Sequence, residues 1–207
     1  MKLAVLVYGR LNRCVEHYEN IMLTLGRENH IDFFMSSDNS PIANDFIATY
    51  NPIAYTNEPI QYDYDLGAYN GRRPETNISN MTRHFINKRR VFNLLEEHIC
   101  QTATEYNAII SLRIDLVFQN KLQLMRYLEP NTIYIPEGND FVENAINDQL
   151  AIGSFQVMKL YSNIYYNAFR MLQLGMTIPH PETLNYANIV NNNIHIQRFH
   201  LQYHIER

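Results

Sequence analysis

The chain has few of the features that mark whole classes of protein. It contains two cysteines, Cys14 and Cys100, which are too few for a disulfide-stapled secreted domain and favour a reducing compartment. Its longest apolar run near the N-terminus covers residues 3–8, far short of the roughly 20 residues that cross a bilayer. No small-residue cleavage site of a secretory signal follows that run. These absences predict a cytoplasmic protein with no membrane span.

Charge, composition and length further restrict the kind of protein this can be. With 17 basic and 21 acidic residues, the net charge is −4, which makes electrostatic wrapping of nucleic acid a poor prediction. Hydrophobic residues make up 46% of the chain and charged residues 18%, as in globular proteins rather than disordered ones. The 207 residues therefore predict a single domain over 1–207, which is either the whole product or its N-terminal part.

The first 35 residues predict a strand, a helix and a second strand. Residues 2–8 form a continuous apolar run, typical of a strand buried on both faces, and Gly9 follows as a turn. Residues 10–25 carry apolar side chains on one helical face, with Gly26 in the C-cap position, and residues 31–35 form the next strand. A βαβ opening predicts an α/β fold with a central, mostly parallel, mixed sheet flanked by helices.

The rest of the chain continues this alternation less regularly. Prolines interrupt residues 39–78, which we interpret as short elements and a long loop. Further predicted elements are a helix over 79–98 with Lys88 on its buried stripe, strands over 106–112 and 132–135, a helix over 154–174 with Ser154 as N-cap, a short helix after Pro181, and a C-terminal strand within 194–205.

The turn Tyr8-Gly9-Arg10 lies where α/β proteins bind anions, between a strand end and a helix N-terminus. The G-x-G-x-x-G and G-x-x-x-x-G-K-[ST] signatures of dinucleotide and NTP sites do not occur there. Arg10 and Arg13 are candidates to pair with a diphosphate. The alternative, which the turn alone favours, is that Gly9 makes the bend and both arginines are solvated.

Arg113-Ile-Asp115 stands at the end of the predicted strand over 106–112. A carboxylate in that place is a candidate ligand for Mg²⁺ or Mn²⁺, which bind through one or two carboxylates and substrate phosphates. The equally good alternative is an internal Arg113–Asp115 ion pair.

Asp148 and Gln149 precede the predicted helix over 154–174 and combine acceptors with a donor amide, which suits sugar hydroxyls. A polar turn that caps the helix is the alternative, and in isolation it is favoured. His180, His195, His200 and His204 cluster late in the chain without any zinc-binding spacing.

Taken together, these segments resemble GT-A-type nucleotide-sugar glycosyltransferases, including virus-encoded enzymes that build capsid glycans. The D-x-D signature of that family holds Mn²⁺ or Mg²⁺ on the donor diphosphate; here Asp115 keeps the second acidic position and Arg113 replaces the first. Asp148-Gln149 is similar to the Asp-Gln pair that faces the donor sugar in retaining members. In that family a histidine late in the chain often completes the metal site. His200 and His204 are the candidates here, and we predict His200 as the ligand.

The resemblance implies a UDP-sugar donor, a glycan acceptor and catalytic roles for Asp148 and Gln149, with retention of the anomeric configuration. The residues expected to bind the nucleotide diphosphate are Tyr8, Gly9, Arg10, Arg13, Lys88, Arg89 and Arg113. Two alternatives stay open at this point: a non-catalytic module that binds nucleotide sugars or glycans, and a metal-dependent phosphoesterase.

Overall fold

The computed structural model describes residues 1–61, 69, 76–123, 128–138 and 140–206. The strands in these residues are β1 (Lys2–Tyr8), β2 (His30–Ser36), β3 (Ala54–Thr56), β4 (Ala108–Leu112), β5 (Leu116–Phe118), β6 (Thr132–Pro136), β7 (Leu150–Gly153), β8 (His195–Phe199) and β9 (Tyr203–Ile205). The helices are α1 (Cys14–Leu25), α2 (Ala43–Tyr50), α3 (Ile78–Thr102), α4 (Phe155–Ser162), α5 (Ile164–Gln173) and α6 (Pro181–Asn191).

Seven strands form a central sheet in the order β3-β2-β1-β4-β7-β6-β8. The strands β1 to β4 pair in parallel, β7 runs antiparallel to β4 and β6, and β8 is parallel to β6. A separate two-stranded sheet joins β5 and β9. The predicted α/β class, with a central, mostly parallel, mixed sheet and flanking helices, is confirmed.

The central strands are apolar throughout because both faces of the sheet are covered. Alternate residues of β1 separate the two layers: Leu3, Val5 and Val7 pack with α1 and α2. Leu6 and Tyr8 pack on the opposite face against α3, α4 and α6. Tyr8 therefore ends its strand pointing into the layer of α3.

The long helix α3 is built as its pattern predicts, and it is longer than predicted. Its N-cap Asn77 accepts a hydrogen bond from the Asn80 amide at 2.9 Å, which satisfies one free donor of the first turn. Its buried stripe repeats at helical spacing and consists of Met81, Phe85, Lys88, Phe92 and Leu95. Lys88 is fully buried on this stripe.

Several predicted boundaries are wrong. The single helix over 154–174 is two helices that meet at Asn163, whose side-chain amide donates to the Lys159 carbonyl at 2.9 Å and ends α4. Ser154 occupies the N-cap position without a side-chain capping bond. The C-terminal strand predicted within 194–205 is β8 and β9, which belong to different sheets.

The segment over 39–78, predicted as short elements and a loop, contains α2 and β3. Its residues 62–68 and 70–75, with most of the tyrosine-rich stretch, lie outside the described residues. Within the described part of the chain, no helix is long and apolar enough to cross a bilayer.

Candidate functional site

The candidate site lies at the carboxyl ends of β1 and β4, which are neighbours in the sheet. The Tyr8 hydroxyl and the Ser111 hydroxyl are 2.9 Å apart, and both residues are buried. Ligands of open α/β sheets bind outside the carboxyl ends of the strands, so this edge is where a site is expected.

Helix α3 brings two titratable side chains to this edge. His84 and Lys88 are one helical turn apart and therefore share a face. The His84 ring meets the Tyr8 ring edge-to-face with centroids 5.1 Å apart, and its Nε2 lies 3.4 Å from Oδ2 of Asp148.

Lys88 connects this edge to the helices behind it. Its Nζ donates to Oδ1 of Asn185 on α6 at 2.8 Å and stands 3.0 Å from the centroid of the Tyr161 ring on α4. We call the following group the buried cluster, in which His84 is half-buried and the other six side chains are buried: Tyr8, His84, Lys88, Ser111, Asp148, Tyr161 and Asn185.

Three polar atoms of the buried cluster are shielded from solvent and make no hydrogen bond within the part of the chain that the structure describes. They are Nε2 of His84, the hydroxyl of Tyr161 and Nδ2 of Asn185. The side-chain oxygen of Gln149, beside Asp148, is in the same state. Buried polar atoms nearly always have partners, and the unpaired atoms of these neighbouring side chains suit a polar ligand.

Burial dominates the electrostatics of the buried cluster. It lowers the pKa of His84 to about 4; the Asp148 charge raises that pKa, and Lys88 and Arg113 lower it further. Burial also holds the pKa of Lys88 well below its ordinary value, against the opposing effect of Asp148. Tyr8 has a raised pKa, mainly through burial. At neutral pH the His84 imidazole is therefore uncharged and offers one donor and one acceptor nitrogen.

A second carboxylate, which the sequence did not single out, lies within electrostatic reach of Asp148. Glu182 sits in the first turn of α6, is buried, and accepts a hydrogen bond from the Phe141 amide at 2.6 Å. Burial raises its pKa to about 7; the Phe141 amide lowers it, Asp148 and Asp140 raise it, and Arg113 lowers it. In sequence, an acidic residue after His180 and a proline is simply the start of a helix, so only the fold reveals Glu182 as a site residue.

Arg113, which directly follows β4, bonds to two other residues that the sequence predicted for the site, Gln149 and Asp115. Its amide donates to the Gln149 carbonyl at 2.9 Å, which ties the Asp148-Gln149 segment to the strand end. Its guanidinium donates twice to Asp115, from Nε to Oδ1 at 3.0 Å and from Nη2 to Oδ2 at 2.6 Å. The ion pair that the sequence left open as an alternative is therefore present.

Of the residues predicted around the first turn, Tyr8 belongs to the buried cluster, whereas Gly9, Arg10 and Arg13 do not. Gly9 has φ +89° and donates its amide to the Ser36 carbonyl at 2.9 Å, so the turn is real and favours glycine. Arg10 is exposed. Arg13 forms ion pairs with Glu16 and Glu206, so the positive charge of its guanidinium is already balanced by carboxylates of the chain.

Two further predicted residues lie outside the buried cluster. Arg89 places its guanidinium carbon 4.1 Å from the centroid of the Tyr166 ring. His200 is exposed, with Nδ1 3.9 Å from a carboxylate oxygen of Glu137. The prediction of His200 as a metal ligand therefore has no supporting contact among the described residues.

Asp115 fits a metal site poorly, because both of its carboxylate oxygens already accept hydrogen bonds from Arg113. Among the described residues, no three His, Cys, Asp or Glu side chains are grouped so that they could hold a metal ion. The lone carboxylate that the sequence offered as a ligand is thus part of an ion pair.

Comparison with known proteins adds no family to these observations. No protein family matches the chain, and a search of curated proteins finds no match. Function is therefore inferred from the buried cluster and the fold that builds it.

Proposed function

We propose that this protein is a glycosyltransferase that moves a sugar from a nucleotide diphosphate donor, a UDP-sugar in the first instance, to a glycan acceptor. The observation that carries the proposal is the buried cluster at the carboxyl ends of β1 and β4, with its unpaired polar atoms. A sugar offers several hydroxyl groups that both donate and accept, and that is the complement such atoms need.

Specific atoms suit the hydroxyls of a donor sugar. The Tyr161 hydroxyl both donates and accepts, Nδ2 of Asn185 donates, and Nε2 of neutral His84 donates or accepts according to its tautomer. A site that pairs each of these atoms discriminates strongly against ligands that lack the matching hydroxyl, because the buried atom would then stay unpaired.

Asp148 is assigned to the reacting carbon. In the transfer, the bond between the anomeric carbon and the diphosphate oxygen breaks, and its electron pair leaves with the diphosphate. Positive charge then develops on the sugar ring, and a carboxylate in a buried site stabilises it. An acceptor hydroxyl forms the new bond and gives up its proton; Glu182, with a pKa near 7, is a group that can take it up.

Three further parts of the proposal concern Gln149, the anomeric configuration and the metal. The Gln149 amide is buried beside Asp148 and has an unpaired oxygen, which suits a sugar hydroxyl. Retention of configuration rests on the Asp-Gln resemblance alone. The resemblance also implies Mn²⁺ or Mg²⁺, but Asp115 does not fit such a site, so no step is derived through a metal. A cytoplasmic location is supported by the two free cysteines.

The test is a panel of UDP-, GDP- and dTDP-sugars, each beside its free nucleotide, screened by thermal shift and then by nucleotide release. A ligand that binds only the folded state raises the melting temperature. The proposal requires one nucleotide sugar to stabilise the protein and to be turned over. Stabilisation without turnover would favour a non-catalytic binding module, and hydrolysis of simple phosphate esters without sugar transfer would favour a phosphoesterase.

A further inference from the structure

Backbone hydrogen bonds to two other segments of the chain hold the Arg113–Asp115 pair in place. The Arg113 amide donates to the Gln149 carbonyl at 2.9 Å, and the Asp115 carbonyl accepts from the Glu206 amide at 2.9 Å. The two side chains are 27% and 17% exposed, so the pair is shielded but open to a ligand on one side. A pair held in this way is part of the framework of the strand end rather than a mobile surface contact.

The guanidinium keeps three of its five N–H donors after the two bonds to Asp115. Asp115 takes the edge formed by Nε and Nη2, which leaves the edge formed by Nη1 and Nη2. Within the described residues, the structure gives that second edge no partner. Two parallel N–H groups on a planar fork are the arrangement that binds a phosphate oxygen pair.

The charge of Arg113 reaches the buried cluster. It acts on the pKa of Tyr8, His84 and Glu182, each time in the direction of a nearby positive charge. A phosphate on the free edge of the guanidinium would therefore lie within electrostatic reach of the proposed sugar site.

A divalent cation at Asp115 would have to displace this guanidinium. Both carboxylate oxygens are engaged in charge-assisted hydrogen bonds, and breaking them would leave a cation beside an unpaired arginine. A preorganised arginine can itself stabilise the negative charge that develops on a departing diphosphate.

We infer that the free edge of Arg113, positioned by Asp115, binds the donor diphosphate, and that donor binding and turnover do not require a divalent cation. This inference rests on the proposed function. Asp115 is then a positioning residue, and its substitution acts through Arg113.

The experiment measures the affinity of UDP, GDP and their glucose conjugates by calorimetry in chelator, in Mg²⁺ and in Mn²⁺. The wild-type chain should bind one of them equally, within about twofold, in all three buffers. Arg113→Met and Arg113→Lys should each weaken that affinity in chelator by about tenfold or more, because lysine lacks the second edge. Arg27→Met, which breaks the exposed Arg27–Glu19 pair, is the matched control and should bind as wild type.

Asp115 variants separate positioning from metal binding. Asp115→Glu keeps a carboxylate for Arg113 and should retain more affinity than Asp115→Asn, with no gain from Mn²⁺ in either; melting temperatures exclude unfolding as the cause. Wild-type binding that appears only with Mn²⁺ or Mg²⁺ would overturn the inference while leaving the proposed function intact. Equal binding by Arg113→Met would also overturn it. No binding of any nucleotide or conjugate in any buffer would overturn the proposed function itself.

Discussion

Glu182 and His84 predict two opposite and compensating effects of pH on stability. The folded protein holds the pKa of Glu182 at about 7, above its ordinary value of 4.5, so the folded state binds the extra proton between these values. Its contribution to stability is fully present below pH 4.5 and is lost as the pH rises through 7. His84 is held at about 4, below its ordinary value of 6.5, so its contribution is present above pH 6.5 and is lost as the pH falls through 4.

The two effects overlap between pH 4.5 and 6.5 and have nearly equal size. Each pH unit well between the folded and unfolded pKa contributes about 1.4 kcal/mol, and because both ends of this window lie near a pKa, each group changes the free energy of unfolding by about 2 kcal/mol across it. The signs are opposite, and in the wild-type chain the pair contributes almost no net slope. When either group is substituted, the pH dependence that the other contributes to the free energy of unfolding can be measured.

The assay is urea unfolding of wild type, Glu182→Gln, His84→Gln and the double variant at pH 4.5 and 6.5. Subtracting the wild-type value at each pH removes the contribution of every other titrating group. The Glu182→Gln difference should become more favourable by about 2 kcal/mol as the pH rises, and the His84→Gln difference less favourable by about 2 kcal/mol. The double variant should show little change. Differences that do not vary with pH, or that vary with the same sign, would refute the burial assigned to these two side chains.

Three further substitutions test other parts of the structure. Lys88→Met should leave the free energy of unfolding unchanged or raise it by about 1 kcal/mol, because burial opposes the lysine charge and this gain offsets the lost bond to Asn185; a large loss of stability in urea would contradict this. Asp115→Ala should lower the free energy of unfolding by about 1–3 kcal/mol, since Arg113 loses two charge-assisted bonds, and an unchanged urea midpoint would show the pair to be unimportant for the fold. Gly9→Ala should lower it by about 1–2 kcal/mol through backbone strain alone, because an added Cβ meets no atom within 4 Å; a neutral effect would mean that the turn relaxes.

Strands covered on both faces and helices with one regular buried face could be predicted from the sequence. The run in β1 is apolar because both faces are covered, and the stripe of α3 follows from its 3.6-residue period, including the position of Lys88. The four-residue strand β7 escaped prediction because an apolar run that short, placed before a helix, has no period of its own. The break at Asn163 depends on one side chain that caps α4, which an amphipathic pattern does not record.

Most residues of the candidate site could be identified only from the fold, because no sequence motif marks them. Asp148 was found through its neighbour Gln149, but Asn185 meets Lys88 from a position 97 residues away along the chain. Nothing local in the sequence distinguishes Asn185 from the other asparagines of α6. The Arg113–Asp115 segment allowed a metal ligand or an ion pair, and only the side-chain geometry shows that the two residues bond to each other.

The central claim is that a nucleotide sugar reacts in the buried cluster, and nucleotide release by wild type, Asp148→Asn and Asp45→Asn tests it most directly. Asp45 is an exposed residue in the first turn of α2 and serves as the matched control. The wild type and Asp45→Asn should consume one nucleotide sugar at the same rate. Asp148→Asn should be slower by about a hundredfold or more with the affinity for free nucleotide unchanged. Equal turnover by Asp148→Asn, or no consumption of any nucleotide sugar by the wild type, would contradict the account.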